Sequence, residues 1–325
     1  MQAVVLREPG GPEVLRPEAV ADPEPGPEEV VVELRAAAVN RRDLRVRDGA
    51  AGFEGPLVPG SDGAGVVRGS GDEVVVNPSL HWGDGEAAPG PAFEILGGPS
   101  DGTYAELVKV PRANVCPKPS RLSWQEAAAL PLAGLTAYRA LFSRGRLRGG
   151  ETVLLLGAGS GVTTFAVQLA VQEGARVLVT SSRQEKLDRA AELGASGGVL
   201  YTDDAWPDAV RELTGGTGVD LVLDSVGATW AESLRCLRPG GRLVSFGATG
   251  GNEARLEPRS YYGGQYSLLG TMMGSPRDFA GLLRVVNGGA WKPVIDSVRP
   301  LAEAADAHRR LESGEQFGKL VLELG

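Results

Sequence analysis

The chain has 325 residues, enough for two domains at about 100–200 residues each, and its 33 basic and 41 acidic residues leave a net charge of −8. That balance argues against nucleic acid or an anionic membrane as a partner, since both are bound by clustered Lys and Arg. No stretch approaches the ~18 apolar residues of a membrane helix, Met1 opens into polar, turn-rich sequence, and a cytoplasmic protein is expected. The two Cys and two His lie too far apart in sequence to offer the short-spaced ligand pairs of a four-ligand structural zinc site. Cys116 and Cys236 read as small apolar filler.

The first 130 residues carry most of the prolines and several short β-like runs, at 3–6, 30–35, 64–68, 73–77 and 104–110. Gly/Pro turns such as Pro9-Gly10-Gly11-Pro12 separate them, the pattern of a small distorted barrel or sandwich. Residues 78–103 lack periodicity and read as a surface excursion. Ser123-Trp124-Gln125-Glu126 is a capping box that starts a helix over 126–130, broken by Pro131, with a second helical stretch to about 142. From Thr152 strands and helices alternate: strands at 153–156, 176–180, 199–201, 221–223, 242–246 and 268–271, with helices at 162–170, 183–193, 205–213 and 230–237. This predicts an α/β fold with a doubly wound parallel sheet. A helix near 278–286, a strand near 294–298, a helix near 302–311 and a strand at 319–322 are expected to return to the first domain, because two strands alone bury no core.

The first turn of that sheet is Leu156-Gly157-Ala158-Gly159-Ser160-Gly161-Val162-Thr163. A turn without side chains lets backbone N–H groups and a helix N-terminus approach a pyrophosphate. The strict G-x-G-x-x-G spacing is not met, and a tight turn that binds nothing is the alternative; the strand before it and the amphipathic helix after it favour a dinucleotide site at Gly157, Gly159, Ser160, Gly161 and Val162. An NAD enzyme places Asp or Glu at the end of the next strand. Here that strand runs into Ser181-Ser182-Arg183, with Lys186 beyond and no acid at position 181. Hydroxyls and cations suit a 2′-phosphate that a carboxylate would repel, so NADPH is expected over NADH. The alternative is that Arg183 and Lys186 are solvated residues at a helix start.

The sequence resembles the medium-chain dehydrogenase/reductases, in particular their zinc-independent quinone oxidoreductase group. The landmarks include Ala38-Val39-Asn40-Arg41-Arg42-Asp43-Leu44, Pro59-Gly60-Ser61-Asp62-Gly63, Asp101-Gly102-Thr103-Tyr104-Ala105-Glu106, Gly134-Leu135-Thr136-Ala137-Tyr138, Asp224-Ser225-Val226-Gly227 and Phe317-Gly318-Lys319, in the family's order. The resemblance implies a GroES-like catalytic domain over 1–130 and 275–325, a Rossmann domain over 131–274, and an active site in the cleft between them. It implies that Thr136 lies near the nicotinamide, that Phe246-Gly247 and Thr271-Met272 border it, that Tyr201 joins Ser181 and Lys186 around the 2′-phosphate, that Lys319 reaches the pyrophosphate, and that Asn40 donates a hydrogen bond to the substrate carbonyl. In zinc-dependent relatives a Cys would stand at Asn40, a His at Ser61, a Glu at Asp62 and a Cys at Leu132, so no metal site is expected. Thr163 stands where the family has glycine. A homodimer or homotetramer is implied, with edge pairing over 268–271 as one route.

Without a Lewis acid, alcohol oxidation loses its electrophile, whereas reduction of an electron-poor acceptor does not need one. The expected activity is NADPH-dependent hydride transfer to a quinone or α,β-unsaturated carbonyl, with the proton from water. The alternatives are an alcohol dehydrogenase or carbonyl reductase, and a cofactor-binding protein without turnover. His81 and His308 read as exposed, and Asp43 and Asp62 as structural acids capping turns or pairing with nearby Arg. The Arg-rich run from Arg41 to Arg47 reads as a solvated helix face, with a preference for anionic substrates as the alternative.

Overall fold

The computed structural model describes residues 1–53, 55–289 and 291–325. The chain divides into two compact units, Met1–Leu135 with Gly274–Gly325, and Thr136–Met273. The second unit holds a six-stranded, wholly parallel sheet, with the strands in the order Gly197–Leu200, Arg176–Ser181, Thr152–Leu155, Val219–Asp224, Leu237–Ser245 and Ser267–Gly270. Numbered along the chain that order is 3-2-1-4-5-6, the dinucleotide-binding topology with its reversal beside the first strand. Consecutive residues Val153, Leu154 and Leu155 are all buried, as a strand covered on both faces requires. Leu154, Leu178, Val222 and Leu243 form the core with Trp206 and Cys236.

The first unit is built on a seven-stranded sheet in which the long strand Glu29–Val39 pairs antiparallel with Asp62–Val67, Leu107–Pro111 and Lys319–Glu323. Ile295–Pro300 extends the sheet parallel to Lys319–Glu323. The excursion at 78–103 carries a two-residue pair, Ser79–Leu80 with Glu94–Ile95, and Trp82 meets Phe93 edge-on at 5.2 Å. Leu15–Ala19, which has no strand pattern in the sequence, pairs with Gln2–Leu6.

Helix Ala304–Glu312 overturns one expectation. Ala304, Ala307, His308 and Leu311 are its buried residues, at offsets 0, 3, 4 and 7, so this stripe faces the core. His308 is therefore fully buried, while His81 is half exposed beside Glu94. No helix among the described residues is long and apolar enough to cross a membrane.

Candidate active site

Strand Glu29–Val39 delivers Asn40 to the start of helix Arg41–Arg47. The Asn40 backbone N–H donates to Asp43 Oδ2 at 2.7 Å, which fixes the turn between strand and helix. Asn40 is only 6% exposed. Its Nδ2 donates to Asp62 Oδ2 at 2.9 Å and, at a long 3.4 Å, to Ala38 O. Asp62 is itself fully buried and also accepts from Leu132 N at 2.7 Å. The third member is Lys319. Its ammonium donates to Val39 O at 3.0 Å, to Asp62 Oδ2 at 2.8 Å and to Asn40 Oδ1.

Those three bonds use all three ammonium donors, and Lys319 is 3% exposed. In this structure Lys319 thus closes an ion pair inside the first unit, in place of the expected reach to a pyrophosphate. Asp62 pairs with this lysine rather than with an arginine. The partners lie 22 and 257 residues from Asp62 in sequence, so no local motif announces the cluster.

A second buried chain leads away from Asp43. Tyr104 Oη donates to Asp43 Oδ2 at 3.1 Å and sits 3.1 Å from His308 Nε2. On the far side, Arg47 Nη1 lies 3.4 Å from His308 Nδ1, and Arg47 Nη2 bonds Glu312. A guanidinium can only donate, so Nδ1 accepts and the ring proton sits on Nε2, directed at Tyr104. Burial and the neighbouring Arg47 charge push His308 down to about 3. Burial raises Asp43 to about 6 and lifts Tyr104 well above the ordinary phenol range. The Arg-rich run is therefore not wholly a solvated face: Arg47 is buried and Arg42 donates to Ile95 O and Gly98 O.

In the second unit, Gly157 and Gly159 take φ of 77° and 96°, the left-handed region that side chains avoid. Nothing lies within 4 Å of where a Gly157 Cβ would stand. Ser160 caps helix Gly161–Gln172, its hydroxyl accepting from Thr163 N at 3.1 Å. The first N–H groups of that helix, from Gly161 and Val162, have no intrahelical acceptor and carry the positive end of the dipole. Thr163 does not obstruct this approach: it is 3% exposed and its hydroxyl donates to Leu156 O at 3.1 Å, inside the turn. Strand Arg176–Ser181 is tied to the same turn through Ala158 N to Thr180 O at 2.7 Å.

At the end of that strand, Tyr201 N donates to Ser181 O at 3.0 Å and Arg183 N to Ser181 Oγ at 3.2 Å. Ser182, Arg183 and Tyr201 are exposed there, with Glu185 3.6 Å from the Arg183 guanidinium. Lys186 is buried, so the idea of a solvated lysine at the helix start does not hold. Phe246, Gly247 and Thr271 come together with Trp230, Ser245 and Gly270 around a cavity of about 320 Å³. Trp230 Nε1 and Thr271 Oγ1 are buried there without partners among the described residues. Thr136 is buried in helix Pro131–Tyr138.

These residues fit a nicotinamide dinucleotide: a bare phosphate turn, hydroxyl and guanidinium groups without an acid at position 181, and orphaned polar atoms beside a cavity. Zinc does not fit the first unit. Asn40 Oδ1 is taken by an ammonium, the Ser61 hydroxyl donates to Leu96 O at 2.7 Å, Leu132 offers no side-chain donor atom, and both Asp62 oxygens already accept. A soft-to-borderline dication wants Cys or His here, and no group of three His, Cys, Asp or Glu among the described residues could hold a metal ion.

Residues 26–120 match the alcohol dehydrogenase GroES-like domain and residues 161–288 the zinc-binding dehydrogenase domain. The chain is 35% identical to the quinone oxidoreductase of Pseudomonas aeruginosa, covering 96% of each, and 32% identical to the NAD-dependent alcohol dehydrogenase of Sulfolobus acidocaldarius, covering 100% of each. A solved structure of an NAD-dependent alcohol dehydrogenase superposes with a TM-score of 0.95 at 44% identity over 100% of both chains. The chain belongs to the medium-chain dehydrogenase/reductase family, with a GroES-like domain and a Rossmann domain. It is a nicotinamide-dependent oxidoreductase.

Proposed function

We propose that the protein reduces quinones or α,β-unsaturated carbonyls with NADPH and without a metal ion. The observation that carries this reading is the cluster of Asn40, Lys319 and Asp62: at two positions where metal-dependent relatives would need ligands, Asn40 and Asp62, the side chains are bonded to each other and to a buried ammonium. Bound NADPH would supply a hydride, two electrons and one proton's worth of hydrogen, to the quinone or to the β-carbon of the enone. Gly157, Gly159, Ser160, Gly161 and Val162 would hold the pyrophosphate. Ser181, Ser182, Arg183 and Tyr201 would surround the 2′-phosphate, with Lys186 behind them. Phe246, Gly247 and Thr271 would border the nicotinamide, as would Thr136. Asn40 Nδ2 would donate to the acceptor oxygen as negative charge grows there, the kind of aimed donor worth most in a dry site. The proton completing a hydroquinone or saturated ketone would come from water.

The strand Ser267–Gly270 ends its sheet with one edge unpaired among the described strands, which supports self-association as a homodimer or homotetramer. The test of function is the oxidation of NADPH and NADH in the presence of ortho-quinones, para-quinones and simple enones. Turnover with NADPH and at least one of these acceptors is expected; tight NADPH binding with no turnover on the panel would favour a binding protein. The 44% identity to an NAD-dependent alcohol dehydrogenase supports a second reading. That reading requires NADH to be the preferred cofactor and primary or secondary alcohols to be oxidised.

A further inference from the structure

The cluster in the first unit has a directionality that no single residue of it explains. An ammonium can only donate and an ionised carboxylate can only accept. Lys319 donates to Asn40 Oδ1, while Asp62 accepts from Asn40 Nδ2. The amide is therefore held at both ends by groups of opposite sense, and a 180° flip would set an N–H against an ammonium and an oxygen against a carboxylate. Of the two Nδ2 hydrogens, one is bound to Asp62 at 2.9 Å and the other makes only the 3.4 Å contact with Ala38 O. The second is the hydrogen that an incoming oxygen can take at little loss, because a bond that long is weak. Donation from the ammonium into Oδ1 draws electron density from the amide and strengthens the N–H groups on its far side.

We propose that Lys319 and Asp62 are the positioning residues of the reaction: together they fix which face of the Asn40 amide donates and make it a stronger donor. This deepens the proposed function and rests on its assignment of Asn40. The alternative is that Lys319 and Asp62 merely hold the strand ends together, or that Lys319 leaves the cluster to bind a phosphate.

The test is a cycle of variants. In the unmodified protein, Asn40→Ala is expected to lower kcat about 10²-fold, the effect of losing one aimed donor. The paired variant Lys319→Met with Asp62→Asn removes both charges at once, so neither is left buried alone. Residue 62 can then donate or accept, and the amide is free to flip. In that background Asn40→Ala should cost clearly less than in the unmodified protein, by a factor of several, because residues bonded in one cluster are energetically coupled. NADPH affinity, read from the fluorescence of the bound nucleotide, should stay within about twofold in the paired variant.

If Asn40→Ala costs the full factor in both backgrounds, the proposal is overturned while the role of Asn40 stands. If Asn40→Ala costs nothing in the unmodified protein, the assignment of Asn40 fails and this inference with it. Should the paired variant not fold, a crystal structure of the unmodified protein with NADPH decides. Lys319 Nζ still bonded to Asn40 Oδ1 and Asp62, with the second Asn40 Nδ2 hydrogen open to a substrate oxygen, supports the proposal; Nζ moved to a pyrophosphate oxygen, or that hydrogen turned onto the protein, overturns it.

Discussion

Replacing His308 with Gln should flatten the acid limb of the stability curve. His308 is 0% exposed, accepts from Arg47 and faces Tyr104 with its other nitrogen. Burial disfavours the charged ring, and a second proton would also set two cations in contact, so the group is pushed from 6.5 to about 3. The unfolded chain takes that proton near pH 6.5 and the folded chain does not until near pH 3. Stability from this group is therefore complete above pH 6.5 and is lost as pH falls through that window. At pH 4.5 the unfolded state has gained about two pH units of protonation free energy, roughly 2.7 kcal/mol. Gln can still donate towards Tyr104 and accept from Arg47, and it does not titrate. Its fixed loss of about 1 kcal/mol at neutral pH cancels when each protein is compared with itself. Thermal melts at pH 7 and pH 4.5 should show the unmodified protein losing about 5–10 °C more than His308→Gln. Asp43 titrates in both proteins, so its contribution drops out. Parallel losses would mean that His308 is not held neutral, and the directed chain from Arg47 to Asp43 would have to be abandoned.

Asp43 predicts the opposite slope. Its folded value near 6 lies above the ordinary 3.8, so the folded state binds the proton first and stability falls as pH rises between those values. Measured against Asp43→Asn, the unmodified protein should lose about 3 kcal/mol between pH 4 and pH 7, and a pH-independent difference would count against the buried carboxyl. Arg183→Ala should raise the NADPH Kd about tenfold and leave the NADH Kd alone, as expected for one charge-assisted contact to a 2′-phosphate; equal effects on both would remove Arg183 from that site. Gly157→Ala should cost about 1–2 kcal/mol in stability from its φ of 77°, since its Cβ meets nothing. Its larger effect should be on dinucleotide affinity in titration calorimetry, and unchanged affinity would relocate the phosphate turn.

The alternation from Thr152 onward was legible because each parallel strand is a short apolar run and each helix keeps a 3.6-residue stripe. Strand Thr152–Leu155, helix Gly161–Gln172 and the glycines between them fall where those periods put them. Shorter elements were not legible: two-residue strands such as Ser79–Leu80 have no period, and Leu15–Ala19 buries only Leu15. The buried His308 was hidden by composition. Helix Ala304–Glu312 carries four charged residues in nine, and its core stripe carries two alanines, which give a weak apolar signal. The cluster of Asn40, Asp62 and Lys319 left no sequence trace for a different reason. Its members sit at the ends of three strands, and only the antiparallel pairing of Glu29–Val39 with both Asp62–Val67 and Lys319–Glu323 brings them together. Family resemblance located each residue singly and assigned Lys319 a phosphate; the hydrogen bonds give it an amide and a carboxylate.

The measurement closest to the central claim follows NADPH oxidation by a quinone in protein first dialysed exhaustively against a strong chelator, with metal content read by elemental analysis. Full turnover in preparations holding far less than one zinc per chain is the predicted result. A rate that vanishes on dialysis and returns with added Zn²⁺ would contradict it.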